Sequence, residues 1–403
     1  MHRRSGFVAV SAIFMLAPLV SARAPALGAR ASVPCRGPRM HSADRHEMPR
    51  AHRYRCRIRA VSSLAVSKNA GAGRIEVKGK LGAVLLRDEG FVVLFDISNP
   101  RRPRILGRFE DDVQQSFDGD LAFSHDGQFL FYARQTHQFS GDGVHVLDVS
   151  DPAQPSETFY QPSGGTLRLA YFYDGSSEWI AFLDAIDGLV VSRFVRETGS
   201  LVEVFRDSTP PLKVGGPASA GIFIDRMDPE LEIPLMYVAT GQTGLQIYDF
   251  SNPAVPSVVG SWPDVGLAEI EVRRSKSRRI VYAATEYWFD STLRPEIHVL
   301  DATKLDAIKE VKRFGLDVPA EDSWRVQGMT LSGRRLLVAH SHAGLVVFNP
   351  SGAIKAVAQL GARHRTDAAM PGAVYAMDVE IRRGHVLLSD ASTGRLHVLR
   401  LLR

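Results

Sequence analysis

The chain has 403 residues, 45% of them hydrophobic and 23% charged, with 34 Gly and 22 Pro. That apolar content suits a large core and excludes both global disorder and a collagen-like fibre. The formal charge of +5 and the pI of about 9.2 would suit nucleic acid or an anionic surface, so the position of the charges decides their meaning.

Residues 1–22 read as a signal peptide. His2, Arg3 and Arg4 precede an uncharged run from Ser5 to Ala22, with cleavage expected after Ala22 or as late as Ala29. Its apolar stretch of roughly fifteen residues, broken by Pro18, falls short of the roughly twenty needed to span a bilayer. No later run is as long, so the mature chain is expected to have no transmembrane segment and to be secreted, periplasmic or on the cell surface. Residues 23–56 lack apolar periodicity and read as a basic disordered tail or linker. Residues 1–59 hold twelve Arg, no Lys and two acids, Asp44 and Glu47, which leaves 37 basic and 42 acidic side chains for the rest. The body is therefore mildly acidic, and no nucleic-acid partner is expected for it. Cys35 and Cys56, the two cysteines, both lie in the tail. Export would permit a bridge between them, which the body does not need, and two thiols fall short of a structural zinc site.

From about residue 57 the chain repeats. Gly90-Phe-Val-Val-Leu-Phe-Asp-Ile-Ser-Asn-Pro100, Gly143-Val-His-Val-Leu-Asp-Val-Ser-Asp-Pro152 and Gly244-Leu-Gln-Ile-Tyr-Asp-Phe-Ser-Asn-Pro253 are clear copies. Weaker copies start at Gly188, Glu296, Gly344 and Gly394, which makes seven units 45 to 56 residues apart, the period of four-stranded propeller blades. Each unit holds four β-type runs separated by Gly, Pro and Asn turns, with no sustained helical period. The expected fold is all-β, a seven-bladed β-propeller over residues 57–403, one large domain where length alone suggests two or three.

The three clear copies resemble the LVIVD-repeat family of secreted bacterial propellers, whose unit is a Gly, a Leu-Val-Ile-Val-Asp-like strand and Ser-Asn-Pro. The resemblance implies a seven-bladed propeller and carries over no shared catalytic residue. The chain ends just after the third strand of the seventh unit, so Arg57 to Val66, ahead of the first strand of unit one, is expected to complete the last blade and close the ring.

Ligands of propellers are expected at the face formed by the second-to-third and the outer-to-inner strand connections, and units two and five carry long second-to-third connections. His137, Tyr287, Trp288, Trp324 and Arg325 are the candidate ligand-binding residues, the aromatics by stacking on a sugar or another planar group. His340 and His342, two apart at a strand end, are candidate ligands of a divalent metal, with Asp184 and Asp390 at equivalent offsets before their own Gly. No cofactor is required by the pattern. Asp88, Glu89, Asp142, Asp187 and Glu286 would suit calcium but fit ordinary turn chemistry better. His137 with Asp142 is a further acid-base candidate. His145, His298 and His397 recur on third strands and read as a structural site between blades. The chain has no Gly-x-Ser-x-Gly nucleophile turn, phosphate loop or His-Glu-x-x-His helix. The reading is an exported binding module for a protein, peptide or glycan. The alternatives are a metal-dependent lyase or oxidase with its site at the channel mouth, or a propeller subunit of an electron-transfer enzyme.

Overall fold

The computed structural model describes residues 58–87, 89–110, 116–136, 143–184, 186–208, 220–225, 233–240, 244–263, 266–275, 277–285, 296–315, 325–350, 355–360 and 374–402. The signal peptide, the basic tail and both cysteines lie outside these residues.

Twenty-eight strands form seven four-stranded antiparallel sheets. The first strand, β1 (Ile58–Ala65), is followed by blade 1, β2 to β5 (Ala72–Lys78, Leu81–Leu86, Val92–Asp96, Arg104–Phe109). Blade 2 is β6 to β9 (Ser116–Phe123, Phe129–Thr136, Gly143–Asp148, Ser156–Pro162), and blade 3 is β10 to β13 (Thr166–Tyr173, Glu178–Asp184, Gly188–Val195, Ser200–Asp207). Blade 4 is β14 to β17 (Ala220–Asp225, Leu235–Thr240, Gly244–Asp249, Ser257–Trp262), and blade 5 is β18 to β21 (Leu267–Ser275, Arg278–Thr285, Glu296–Asp301, Lys309–Gly315). Blade 6 is β22 to β25 (Gly328–Ser332, Arg335–Ala339, Leu345–Asn349, Lys355–Leu360). Blade 7 is β26 to β28 (Ala376–Arg382, His385–Asp390, Arg395–Leu401) with β1 as its outer strand.

The ring closes as the sequence predicts. β1 runs antiparallel to β28 from Ile58 opposite Leu401 to Ala65 opposite Arg395. Val66 N donates to Gly394 O at 2.9 Å, and Arg395 Nε donates to Ser63 Oγ at 2.7 Å. Ser62 Oγ reaches the next blade, donating to Pro100 O at 2.6 Å. Pairing the first strand with the last leaves no free inner edge and ties both ends of the domain into one sheet.

The core lies between blades. Seven apolar clusters each join two neighbours, from Leu85, Leu94, Leu121 and Tyr132 between blades 1 and 2 to Leu387, Val398, Ile75 and Phe95 between blades 7 and 1. Both faces of the middle strands are therefore buried, which is why they read as continuous apolar runs such as Val92-Val-Leu-Phe.

The repeat's polar signature has a local cause. Asp96, Asp148 and Asp249 each accept the backbone N–H two residues on, from Ser98 (2.7 Å), Ser150 (2.9 Å) and Ser251 (2.8 Å). Asn99, Asp151 and Asn252 then repeat the same bond to Arg101, Ala153 and Ala254. Two successive Asx turns thus carry the chain from third to outer strand, and the Ser98 bonds hold the Asp96 carboxyl below its usual range. Two outer-strand glycines make room for the neighbouring blade. A Cβ on Gly107 would lie 2.3 Å from Pro152 O, and one on Gly260 would lie 2.6 Å from Leu305 O.

Candidate functional site

Inner strands start at the face that carries the second-to-third and outer-to-inner connections, and run toward the opposite face. In blades 1, 2, 3, 5 and 7 the pairing of inner and second strands shifts register near that start. Charged residues follow the shift: Arg74, Arg168, Glu269 and Asp378. These side chains turn into the central channel and meet there.

Arg74 bonds Glu269 across the ring, and its Nη1 lies 3.6 Å from Asp378 Oδ1. Arg168 donates to the same Glu269 oxygen through Nη2 at 3.0 Å and Nε at 3.3 Å. These groups belong to blades 1, 3, 5 and 7, so the cluster spans the channel and plugs it. At the equivalent position blade 6 has Gly328, where a Cβ would stand 2.4 Å from Asp378 Oδ1. Asp378 also accepts Ile75 N at 2.9 Å, and Asp120 accepts Leu169 N at 3.1 Å, each linking one blade to the next. Burial pushes Asp120 up to about 6 against the pull of Arg74 and Arg168, and it raises Asp378 as well.

One step further along the channel stand Glu76, Glu271 and Glu380. Burial, with Glu269 nearby, pushes Glu271 up to about 8 although it accepts Leu331 N at 3.2 Å. Glu380 is raised well above the carboxylate range by burial and then by Glu76, Asp378 and Glu271. Burial thus favours the neutral form of these carboxylates beside a charge-paired plug. None of these residues was singled out from the sequence. The available signal was a charge in otherwise apolar first strands, as in Leu167-Arg-Leu and Ala268-Glu-Ile-Glu.

Of the candidate ligand-binding residues, His137, Tyr287, Trp288 and Trp324 lie outside the described residues, as do Asp88, Asp142 and Glu286. Arg325, half-buried, leads into blade 6, and its carbonyl accepts Ser341 Oγ at 2.9 Å. Ser341 sits in the second-to-third hairpin of blade 6 with φ of 39° and bridges to Ala376 of blade 7. Flanking it, His340 is fully buried, its ring nitrogens meet no other residue's hydrogen-bonding group among the described residues, and burial pushes its pKa down to about 4 against the pull of its own backbone. His342 is half-buried with its ring edge-on to Tyr375 at 4.7 Å; burial lowers its pKa and Asp390 opposes the shift.

The two aspartates proposed alongside them cap hairpins. Asp184 Oδ1 accepts the N–H groups of Ile186 and Asp187, both at 2.8 Å. Asp390 accepts Tyr375 N at 3.0 Å, Ser392 Oγ at 2.6 Å and Thr393 Oγ1 at 2.5 Å, and pairs with His397 Nε2 at 3.2 Å. Asp184 is on blade 3, the histidines on blade 6 and Asp390 on blade 7. Among the described residues no three metal-ligating side chains come together.

The recurring third-strand histidines find their polar partners within a blade rather than between blades. His145 Nδ1 pairs with Glu157, His298 Nδ1 lies 2.6 Å from Glu310, and His397 meets Asp390. His145 is also stacked between Tyr132 and Tyr160 of the same sheet. Only His298 adds a ring contact to the preceding blade, with Trp262 at 5.3 Å.

The family described as LVIVD repeat matches residues 71–111, 139–160 and 235–264, which take in the four strands of blade 1, the third strand and most of the outer strand of blade 2, and the last three strands of blade 4, with the Asx turns of each. Blades 1, 2 and 4 carry LVIVD repeats. This LVIVD-repeat propeller matches no curated protein. Among solved structures it is similar to Chaetomium thermophilum Raptor (TM-score 0.58, 13% identity), covering 86% of this chain but 30% of that one. Saccharomyces cerevisiae Sqt1 (TM-score 0.57, 11% identity) and the Myceliophteria thermophila Cps50 (Swd1) β-propeller domain (0.57, 15%) are each covered to 99%, with 85% of this chain. At such identities the likeness shows the fold.

Proposed function

We propose that this LVIVD-repeat propeller is an exported binding module that takes a protein, peptide or glycan on the face of its second-to-third and outer-to-inner connections. The observation that carries this reading is the distribution of chain length. Residues 208–219, 286–295, 316–327 and 361–375, ten to fifteen residues each, all join strands at that face, whereas at the other face the inner-to-second turns of blades 1, 5, 6 and 7 are two residues each and the longest connection, 226–234, has nine. The long segments include Tyr287, Trp288, Trp324 and Tyr375, and a disc with a short-turned and a long-looped face binds through the latter. The channel arginines are engaged with Glu269 and Asp378 across the bore, which favours recognition at the mouth over passage through the disc.

The test is a glycan and peptide array probed with the full chain and with a Tyr287→Ala, Trp288→Ala, Trp324→Ala variant of unchanged melting temperature. Ligands lost by the variant support the reading; ligands bound equally by both overturn the assignment of the face. A second reading, a metal-dependent enzyme, is favoured by His340, whose buried ring nitrogens meet no other residue's hydrogen-bonding group among the described residues. Stoichiometric metal in the purified protein, lost in His340→Ala, would establish it in place of the first.

A further inference from the structure

The opposite face is electrostatically divided. In blades 2, 3 and 4 its turns carry Asp126, Asp148, Asp151, Asp174, Glu178, Glu197 and Asp249. Among the described residues Arg196 alone stands against them, paired with Asp126 at 2.8 Å and Glu178 at 2.8 Å. Blades 6, 7 and 1 reverse the sign. Their inner-to-second hairpins end in Gly333-Arg334-Arg335, Arg382-Arg383-Gly384 and Lys78-Gly79-Lys80, and the third-to-outer turn of blade 1 adds Arg101 and Arg102. Arg382 Nε donates to Gly79 O at 2.7 Å, which sets the hairpins of blades 7 and 1 side by side. Lys80, Arg101, Arg102, Arg334 and Arg383 are exposed, and none forms an ion pair among the described residues. The one carboxylate on this rim among the described residues, Asp96, is bonded to Arg104 at 3.2 Å. Glu76, Glu271 and Glu380 lie inside the channel.

The chain also enters here. β1 begins at this face, with exposed Arg59 opposite exposed Arg400, and Leu402 beside them is 40% exposed. Residues 23–57, joined to that point, contribute nine Arg against Asp44 and Glu47.

We propose that the arc of blades 6, 7 and 1 on this short-turned face docks on an anionic lipid surface, with the long-looped face turned outward. The cations sit on three two-residue hairpins and one third-to-outer turn, spread over three neighbouring blades, which matches a plane of headgroup charge better than a single polymer strand. Each Lys or Arg within a Debye length of such a surface adds to the attraction, and the basic tail is joined to the chain at this same face.

The experiment is co-sedimentation of the full chain with vesicles of phosphatidylcholine containing 30% phosphatidylglycerol, and with pure phosphatidylcholine, at low salt. Binding to the anionic vesicles alone, reversed by high salt, is expected. A Lys80→Gln, Arg334→Gln, Arg383→Asn variant with an unchanged melting temperature should partition about a hundredfold more weakly. A control with the same charge change elsewhere, Lys68→Gln, Arg193→Gln, Lys312→Gln, should partition like the parent. Equal partitioning of variant and control would overturn the proposal, because tail or net charge would then suffice. Binding to soluble polyphosphate without binding to vesicles would overturn it too.

Discussion

Replacing Glu269 by Gln removes the one carboxylate that both channel arginines share. Arg74 and Arg168 keep side-chain exposures of only 7% and 8%, and Glu269 lies within hydrogen-bond reach of each. The amide retains the shape and one acceptor but loses the charge, which leaves Asp378, 3.6 Å from Arg74, and Asp120 to balance two buried guanidiniums. Removing one partner of a buried pair typically costs about 3–5 kcal/mol. The remaining carboxylates recover part of this, so about 3 kcal/mol is expected for Glu269→Gln. Equilibrium urea unfolding followed by tryptophan fluorescence, with m unchanged, gives the value. A double substitution, Arg74→Met with Glu269→Gln, should cost less than the sum of the single changes, because the cycle removes charge and countercharge together. A loss under about 1 kcal/mol for Glu269→Gln, or strict additivity in the cycle, would refute the reading of the channel as a charge-paired plug.

Three further outcomes follow from particular residues. Glu271 has a folded pKa near 8 against an ordinary 4.5, so its neutral form favours the fold at low pH, and that contribution is lost as pH rises from about 4.5 through 8. Glu271→Gln, which keeps an acceptor for Leu331 N, should therefore nearly match the parent at pH 4.5 and exceed it by about 4 kcal/mol at pH 8.5 in unfolding assays; a gap that does not grow with pH would contradict this. Gly260→Val should lower the melting temperature, because overpacking against Leu305 O typically costs about 1–3 kcal/mol, while Gly79→Ala, whose Cβ meets nothing within 4 Å, should suffer only from its φ of +66°. Deleting residues 1–48 should leave the melting temperature unchanged, whereas deleting through Ser67 removes β1 and should lower it sharply in calorimetry; equal melting of the two would show that β1 does not hold the ring.

Blade number, blade order and the closing strand were legible because they rest on turn chemistry that recurs at fixed spacing. Asp96-Ile-Ser-Asn-Pro100 is a backbone instruction, two Asx turns and a proline, and reads the same in every context. The closing strand was legible by count, since a blade with three runs needs a fourth, and Arg57 to Val66 brackets the observed Ile58–Ala65. The channel was not legible because its partners are remote: Arg74 and Glu269 are 195 residues apart, and their encounter depends on the ring diameter and on register shifts at the start of five inner strands. The recurrence of His145, His298 and His397 was seen, but their matching acids Glu157 and Glu310 stand on outer strands of weak pattern, so the partner was sought in the wrong blade. His340 and His342 stand out by spacing, and spacing does not reveal that one oxygen of Asp184 and both oxygens of Asp390 bond the hairpins they cap.

Every assignment of faces, from the long loops to the basic arc, depends on the ring being closed by β1 against β28. Arg59 and Arg400 are direct cross-strand partners, at a separation that a disulfide can bridge. The most direct measurement is mild oxidation of an Arg59→Cys, Arg400→Cys chain with Cys35 and Cys56 changed to Ser, followed by proteolysis and mass spectrometry. The account predicts a quantitative intramolecular link between residues 59 and 400 in the folded protein. Free thiols, or links formed only between molecules, would contradict it.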